Sequence, residues 1–217
     1  MKNILMLMIV IITIAAASCK KDPIDDTPPD PIPYLAKGYI QLAEGNYWVY
    51  QHYVVTSNGS DSALNITDSV FIDSYMEING KVFYKVETHN WLPQAIYLRD
   101  SLGYLVDTTG TIHMSEVNFN DTIYSHTTVV TPNIHYHIAI KMFNSIANIN
   151  TPSGTYNNCI DATNFVKLYS GNTKKEYEDH FYYAKDIGLI ESSYRYASSD
   201  KKYKRKLIRK QIVCVIN

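Results

Sequence analysis

Tyr47-Trp48-Val49-Tyr50-Gln51-His52-Tyr53-Val54-Val55-Thr56 decides the fold. Aromatic and β-branched residues fill every position except Gln51 and His52, and such side chains suit a half-buried pleated surface. Ser57-Asn58-Gly59-Ser60 follows as a turn. A strand over 47–56 is therefore predicted.

Downstream, Ile66, Val70, Ile72, Met76 and Ile78 share one face of a second strand, with Asp68 and Ser74 interrupting it. Asn79-Gly80 then turns the chain back through Val82, Tyr84 and Val86, which marks a hairpin. A two-residue turn would pair Ile78 with Lys81 and Met76 with Phe83, leaving Val82 and Tyr84 on the wrong face. A three-residue loop with Gly80 in a bulge would pair Met76 with Val82 and Ile72 with Val86 and unite the apolar faces, so the bulged hairpin is predicted. Strand-like pieces continue at 95–99, 104–107, 111–114, 123–131 and 134–143, with 144–152 as a polar connection. Residues 151–159 are expected to open a long strand running to about 169, with further strands over 176–185, from 187 to 196, and over 207–216. Upstream, 35–43 has the composition for one or two helical turns. No longer helix is legible after residue 45, and no internal repeat. The predicted class is all-β: a single antiparallel meander curled into an open barrel or sandwich.

Composition agrees with that class. Tyrosine occurs 19 times, against 6 phenylalanines and 2 tryptophans, and its ring packs while its hydroxyl reaches water or backbone. The formal net charge of -1 supplies no whole-protein field to recruit nucleic acid or another polyanion.

The N-terminus carries an address. Lys2 is followed by the apolar run Ile4 to Ile14, then Ala15-Ala16-Ala17-Ser18 and Cys19. The run is shorter than the roughly 20 residues that span a bilayer and abuts small residues that a signal peptidase accepts. Ala16-Ala17-Ser18-Cys19 resembles a bacterial lipobox, and Ser18-Cys19-Lys20-Lys21-Asp22 resembles the start of Bacteroidota lipoproteins. The resemblance implies cleavage before Cys19, its acylation with palmitate or a like chain, and attachment to the cell envelope, at the outer membrane. The expected organisation is a lipoprotein signal peptide over 1–18, a lipidated cysteine and Pro/Asp-rich disordered tether over 19–33, and one β domain over 34–217.

Two further stretches carry a resemblance. Leu42 to Tyr50, with Gly45, Trp48 and Tyr50, is similar to the Gly-x-x-Trp-x-Tyr opening of many uncharacterised Bacteroidota lipoproteins. Tyr182-Tyr183-Ala184-Lys185-Asp186-Ile187-Gly188-Leu189-Ile190 resembles a Tyr-Ala-x-x-Val-Gly-Leu-Val stretch near their end. The Asp-Ser/Thr-apolar triplets starting at Asp61, Asp68, Asp100, Asp107 and Asp121 resemble Bacteroidota glycosylation sites.

Local chemistry is sparse. With Cys19 lipidated, Cys159 and Cys214 remain; in an exported protein they can form a disulfide, while their apolar contexts equally suit buried free thiols. His135 and His137 alternate on a strand and so share a face, but Lys141 beside them disfavours a cation. No Gly-x-Ser-x-Gly, Cys-x-x-Cys or phosphate-cradling glycine loop occurs. Asp100, Glu116, Asp179 and Glu191 read as surface carboxylates, and Lys201 to Lys206 as a basic turn and strand edge whose charge blocks aggregation. No catalytic, cofactor or metal residue is assigned. The expected role is non-enzymatic binding or assembly at the membrane, for an apolar ligand or a partner protein. A glycan-binding accessory protein and a hydrolase are the rival readings.

Overall fold

The computed structural model describes residues 38–90, 95–146, 148–196 and 199–213. The expected signal peptide, tether, Cys19 and Cys214 lie outside the described residues. Fourteen strands follow in order among the described residues: β1 Tyr47–Val55, β2 Asp61–Ile78, β3 Lys81–His89, β4 Ile96–Asp100, β5 Tyr104–Asp107, β6 Ile112–Ser115, β7 Thr122–Thr131, β8 Ile134–Ile146, β9 Ile149–Thr151, β10 Gly154–Tyr156, β11 Cys159–Ser170, β12 Thr173–Ala184, β13 Gly188–Arg195 and β14 Lys202–Gln211. Twelve form one antiparallel sheet in the order β6-β5-β4-β3-β2-β1-β14-β13-β12-β11-β8-β7, and β9 and β10 form a small separate hairpin. Sequence neighbours pair except where β1 takes β14 and β8 takes β11. The edges β6 and β7 are consecutive in the chain and lie against each other, and Thr111 Oγ1 donates to Tyr124 OH at 3.5 Å across the seam. The sheet is thus nearly closed into a barrel, which leaves little edge for wrong pairing.

The β2–β3 hairpin departs from the sequence reading in an instructive way. Asn79 (φ 52) and Gly80 (φ 70) form a tight two-residue turn, and Ile78 pairs with Lys81 and Met76 with Phe83. Yet Ile72 does pair with Val86, because the extra residue sits at Asp73, inside β2. The two left-handed turn residues match the twist of the flanking strands, while the bulge restores the apolar register further down. Its consequence is a change of phase: Ile72 is buried, whereas Tyr75 and Met76, beyond the bulge, are exposed.

Residues 38–43 are not helical. Ile40, Gln41, Leu42 and Ala43 are all buried. Gly45 N donates to Ile72 O at 3.0 Å, Ile72 N to Asn46 O at 2.9 Å and Val213 N to Asn46 Oδ1 at 2.7 Å, so Asn46 ties the segment to β2 and to the end of the chain. Burial against the sheet outweighs local helix propensity in so short a segment.

The two resembled stretches meet here. The Trp48 indole N–H donates to Ile187 O at 2.7 Å, and Tyr50 OH donates to Leu189 O at 2.9 Å. Between those carbonyls Gly188 (φ +90) lies under the indole, where a Cβ would stand 3.5 Å from Trp48 Cζ2. The pattern on β1 and the glycine before β13 are two halves of one contact.

Two other expectations are corrected. Residues 144–152 are not a plain connection: β8 runs on to Ile146, and β9 begins at Ile149. The β9–β10 hairpin docks where β13 and β14 part, with Ser153 N donating to Leu207 O at 3.1 Å. The last strand begins at Lys202, five residues earlier than its apolar stretch indicates, so the basic cluster lies inside the sheet with β13 and β1 on either side.

Candidate functional site

Alternation along β14 sorts that cluster. Tyr203, Arg205 and Leu207 point to one face and Lys202, Lys204 and Lys206 to the other. Register then supplies partners. Across the inner wall, Met142, Ala162, Phe181, Ser192, Arg205 and His52 form one row, apolar at one end and charged at the other. Next to it Asp68 pairs with Tyr50 on the same face. Arg205 Nη1 donates to Asp68 Oδ2 at 2.9 Å and Arg205 Nε donates to Ser192 Oγ at 2.9 Å. His52 joins them, with Nε2 3.1 Å from Asp68 Oδ1 and Nδ1 2.9 Å from Tyr194 OH. The Asp68 side chain is 0% exposed and that of Arg205 10%. The guanidinium also lies over the Tyr50 ring, 4.7 Å from its centroid. Burial pushes the Tyr50 phenol far above its ordinary pKa, so it remains a neutral donor.

Beside this network lies a part-open cavity of about 330 Å³. Trp48, Val70, Ile72, Leu98, Ile140 and Phe181 contribute to its wall, and Ile40, Gln41 and Leu42 also line it. A cavity of that volume, apolar with a few polar points, has the character of a small-molecule site. A second concavity of about 510 Å³ lies at β11–β12 and is larger. Its wall carries Lys167, Glu176, His180, Arg195 and Lys202, and several of these are spent on neighbours: Lys167 Nζ lies 3.6 Å from Glu176 and Arg195 2.9 Å from Asp179. Burial, reinforced by the nearby Arg195 cation, holds the Lys202 ammonium below its ordinary pKa. The smaller inner cavity is the better candidate, because apolar walls gain from a ligand without breaking ion pairs.

Two lysines of the opposite face are also matched. Lys206 Nζ lies 2.7 Å from Asp61 Oδ2 and 3.5 Å from Glu191 Oε2, and Lys204 Nζ lies 3.2 Å and 3.6 Å from the same two carboxylates. Burial works to raise the Asp61 pKa, but the hydrogen bonds from Lys206 and Lys204 overcome it and hold the group below its ordinary value. The expectation of a turn and sheet edge that repels other chains is therefore corrected: these cations sit mid-sheet with carboxylates supplied by β2 and β13.

The other candidates are dispersed. His137 meets Thr127 Oγ1 at 3.0 Å and His135 stacks on Tyr169 at 4.6 Å, and among the described residues no three His, Cys, Asp or Glu side chains converge as metal ligands. Cys159 is buried as a free thiol with Sγ 3.5 Å from Tyr156 O, and burial raises its pKa; its proposed disulfide partner Cys214 lies outside the described residues. Asp100 caps a turn through Gly103 N at 2.7 Å, and Glu116 accepts Tyr39 N at 2.8 Å. Asp179 and Glu191 are buried, contrary to their reading as surface carboxylates, because each faces a basic residue of a neighbouring strand. One acid–base pair was not anticipated: His180 Nδ1 lies 2.7 Å from Asp161 Oδ2, which also accepts Thr163 Oγ1 at 2.9 Å. The Thr163 hydroxyl lies on the Nδ1 side, so it does not occupy a nucleophile's place at Nε2. No spacing in the sequence marks either this pair or the Asp68 network, since His180 lies 19 residues from Asp161 and His52 lies 16 from Asp68.

The strands define an all-β, nearly closed antiparallel barrel, and a part-open, mainly apolar cavity lies against its wall. Two solved structures share the fold. One is a protein of Parabacteroides distasonis assigned as a lipoprotein, with a TM-score of 0.53 at 12% identity, covering 81% of this chain and 99% of its own. The other is a protein of Bacteroides fragilis assigned as exported and described as having a YmcC-like fold, with a TM-score of 0.50 at 11% identity over the same shares. At such identity the likeness is one of fold. No protein-family model and no curated protein matches the chain. Its antiparallel β fold is thus shared with Bacteroidota proteins assigned to export or lipid anchoring.

Proposed function

We propose that this is a non-enzymatic lipoprotein of the cell envelope, anchored at Cys19 to the outer membrane, that binds an apolar ligand inside its barrel. The inner cavity of about 330 Å³ carries the reading. At roughly 30 Å³ per water it has room for about eleven waters, yet Ile72, Leu98, Ile140 and Phe181 offer them few partners, so an apolar occupant gains by displacing them. The shared fold with proteins assigned to export or lipid anchoring supports the compartment. The glycan-binding reading needs an open aromatic row, whereas Trp48 is buried with its indole N–H committed to Ile187 O.

The test is extraction and mass spectrometry of protein purified from membranes. An apolar molecule is expected in stoichiometric amount, and it should be lost in the cavity-filling variant Val70→Phe while thermal unfolding stays cooperative. Absence of any such molecule from the wild type, together with no uptake of added long-chain alcohols or ethers, would overturn the proposal.

A further inference from the structure

The turn between β4 and β5 carries a residue that its backbone disfavours. Ser101 N donates to Tyr104 O at 2.8 Å, and the two residues between them, Leu102 (φ 56) and Gly103 (φ 85), are both left-handed. Asn79-Gly80 makes the same pattern at the β2–β3 turn, with asparagine in the first place, where asparagine, aspartate or glycine fit best. Leucine in that place meets the Cβ penalty of the left-handed region, and its side chain is 94% exposed, so almost no burial offsets the cost. Val117, 59% exposed, stands against the same turn: a Cβ on Gly103 would lie 2.7 Å from Val117 Cγ1.

These two apolar tips sit beside the point where the described domain joins the chain from Cys19. Glu116 N donates to Gly103 O at 2.9 Å, and the Glu116 carboxylate accepts Tyr39 N at 2.8 Å. Eighteen residues separate Cys19 from Gly38. An anchor at Cys19 therefore holds Gly38 within about 65 Å of the bilayer, and the loops beside Gly38 meet the highest effective concentration of lipid. Asp100 accepts Gly103 N at 2.7 Å and Asp186 accepts Gly38 N at 3.2 Å. With Glu116 they make these loops unsuited to an anionic surface, so neutral head groups are the matching chemistry.

Resting on the proposed anchor at Cys19, we infer that Leu102 and Val117 form an apolar wedge that enters the head-group layer of the bilayer carrying the anchor. The wedge turns the β4–β5 and β6–β7 loops toward the lipid and sets the orientation of the barrel on the membrane.

Lipidated protein purified from membranes and reconstituted into phosphatidylcholine vesicles tests this, with tryptophan as the depth probe and lipid brominated near the head group as quencher. In Leu102→Trp the added emission should shift to shorter wavelength and be quenched, as for a side chain buried about 5–10 Å into the head-group boundary. Trp48 and Trp91 of the wild type set the background. Val117→Trp should behave in the same way, and it decides alone if Leu102→Trp does not fold. Val129→Trp is the contrast: this site is 69% exposed, but it lies seven residues along β7 from Thr122, about 23 Å at the rise of a strand, and its emission should stay unshifted and unquenched. Protein that floats with the vesicles while 102 and 117 stay unquenched overturns the wedge and leaves the anchor standing, as does equal quenching at 102 and 129. Protein that does not float with the vesicles overturns both.

Discussion

Asp68→Asn removes one charge from the barrel wall while keeping the side chain's shape, and its cost follows from the geometry. At 2.9 Å and an effective dielectric near 20, the Asp68–Arg205 attraction is about 6 kcal/mol. Desolvation of two such buried ions costs several kcal/mol each, so the intact pair contributes little net stability. The single substitution is different, because it leaves the Arg205 guanidinium, 10% exposed, without its carboxylate. The expected loss is about 3–5 kcal/mol, the range for breaking a buried pair. In a chain of this size that lowers the melting temperature by roughly 6–20 °C. The pair Asp68→Leu with Arg205→Met should recover most of the loss, although His52 then loses its Asp68 contact. Urea unfolding followed by far-UV circular dichroism, run as a double-mutant cycle, measures the coupling directly. A cost below about 1 kcal/mol for Asp68→Asn, or additive effects in the cycle, would refute the view that this pair is a closed unit within the wall.

Four other outcomes are expected. Cys19→Ser should abolish incorporation of labelled palmitate and move the protein from the membrane to the soluble fraction; continued labelling would remove the anchor from Cys19. Gly188→Ala places a Cβ at φ +90 beneath the Trp48 indole and should lower stability by about 1–2 kcal/mol, read as a shift in the urea midpoint. Asp61→Asn should destabilise at pH 7, and the difference should close only as pH falls below 3.8: a carboxylate whose folded pKa is lowered contributes above its unfolded pKa and stops contributing as pH drops through the folded one. Peptide mapping after iodoacetamide should show Cys159 unmodified in the native protein and modified in urea, since its 0% exposure and raised pKa both suppress the reactive thiolate.

Where side chains report their own surroundings, the fold was legible. Tyr47 to Val55 reads as a strand because nearly every residue in it favours one, and the short meander strands β4 to β6 are bracketed by glycine turns. The β2–β3 hairpin shows the limit of that reading. Pattern alone correctly required that Ile72 oppose Val86, but a bulge in the loop and a bulge at Asp73 satisfy that requirement equally. What separates them is that Asn79-Gly80 already forms the favoured two-residue turn. Local turn chemistry took precedence, and the misfit moved to where the strand could absorb it.

The inner site was illegible for a different reason. Five cations among the six residues 201–206 look like a solvated run, because the carboxylates that match them belong to distant strands: Asp61 and Asp68 on β2 and Glu191 on β13. The closure of β14 onto β1 brings them together, and alternation then sends Arg205 inward and the lysines outward. The same closure makes the chamber, since β1 and β14 are its middle strands and Trp48, Tyr50 and Arg205 all reach its wall. A chain whose two ends must pair to create its binding space is vulnerable at that pairing. Asn46 strengthens it by donating to Gln41 O at 3.0 Å and accepting from Val213 N at 2.7 Å, so that the segment before β1 and the segment after β14 are held by one buried side chain. Asn46→Ala should therefore leave that carbonyl and that N–H without their partner and shift the urea midpoint downward by more than the same change at an exposed asparagine would.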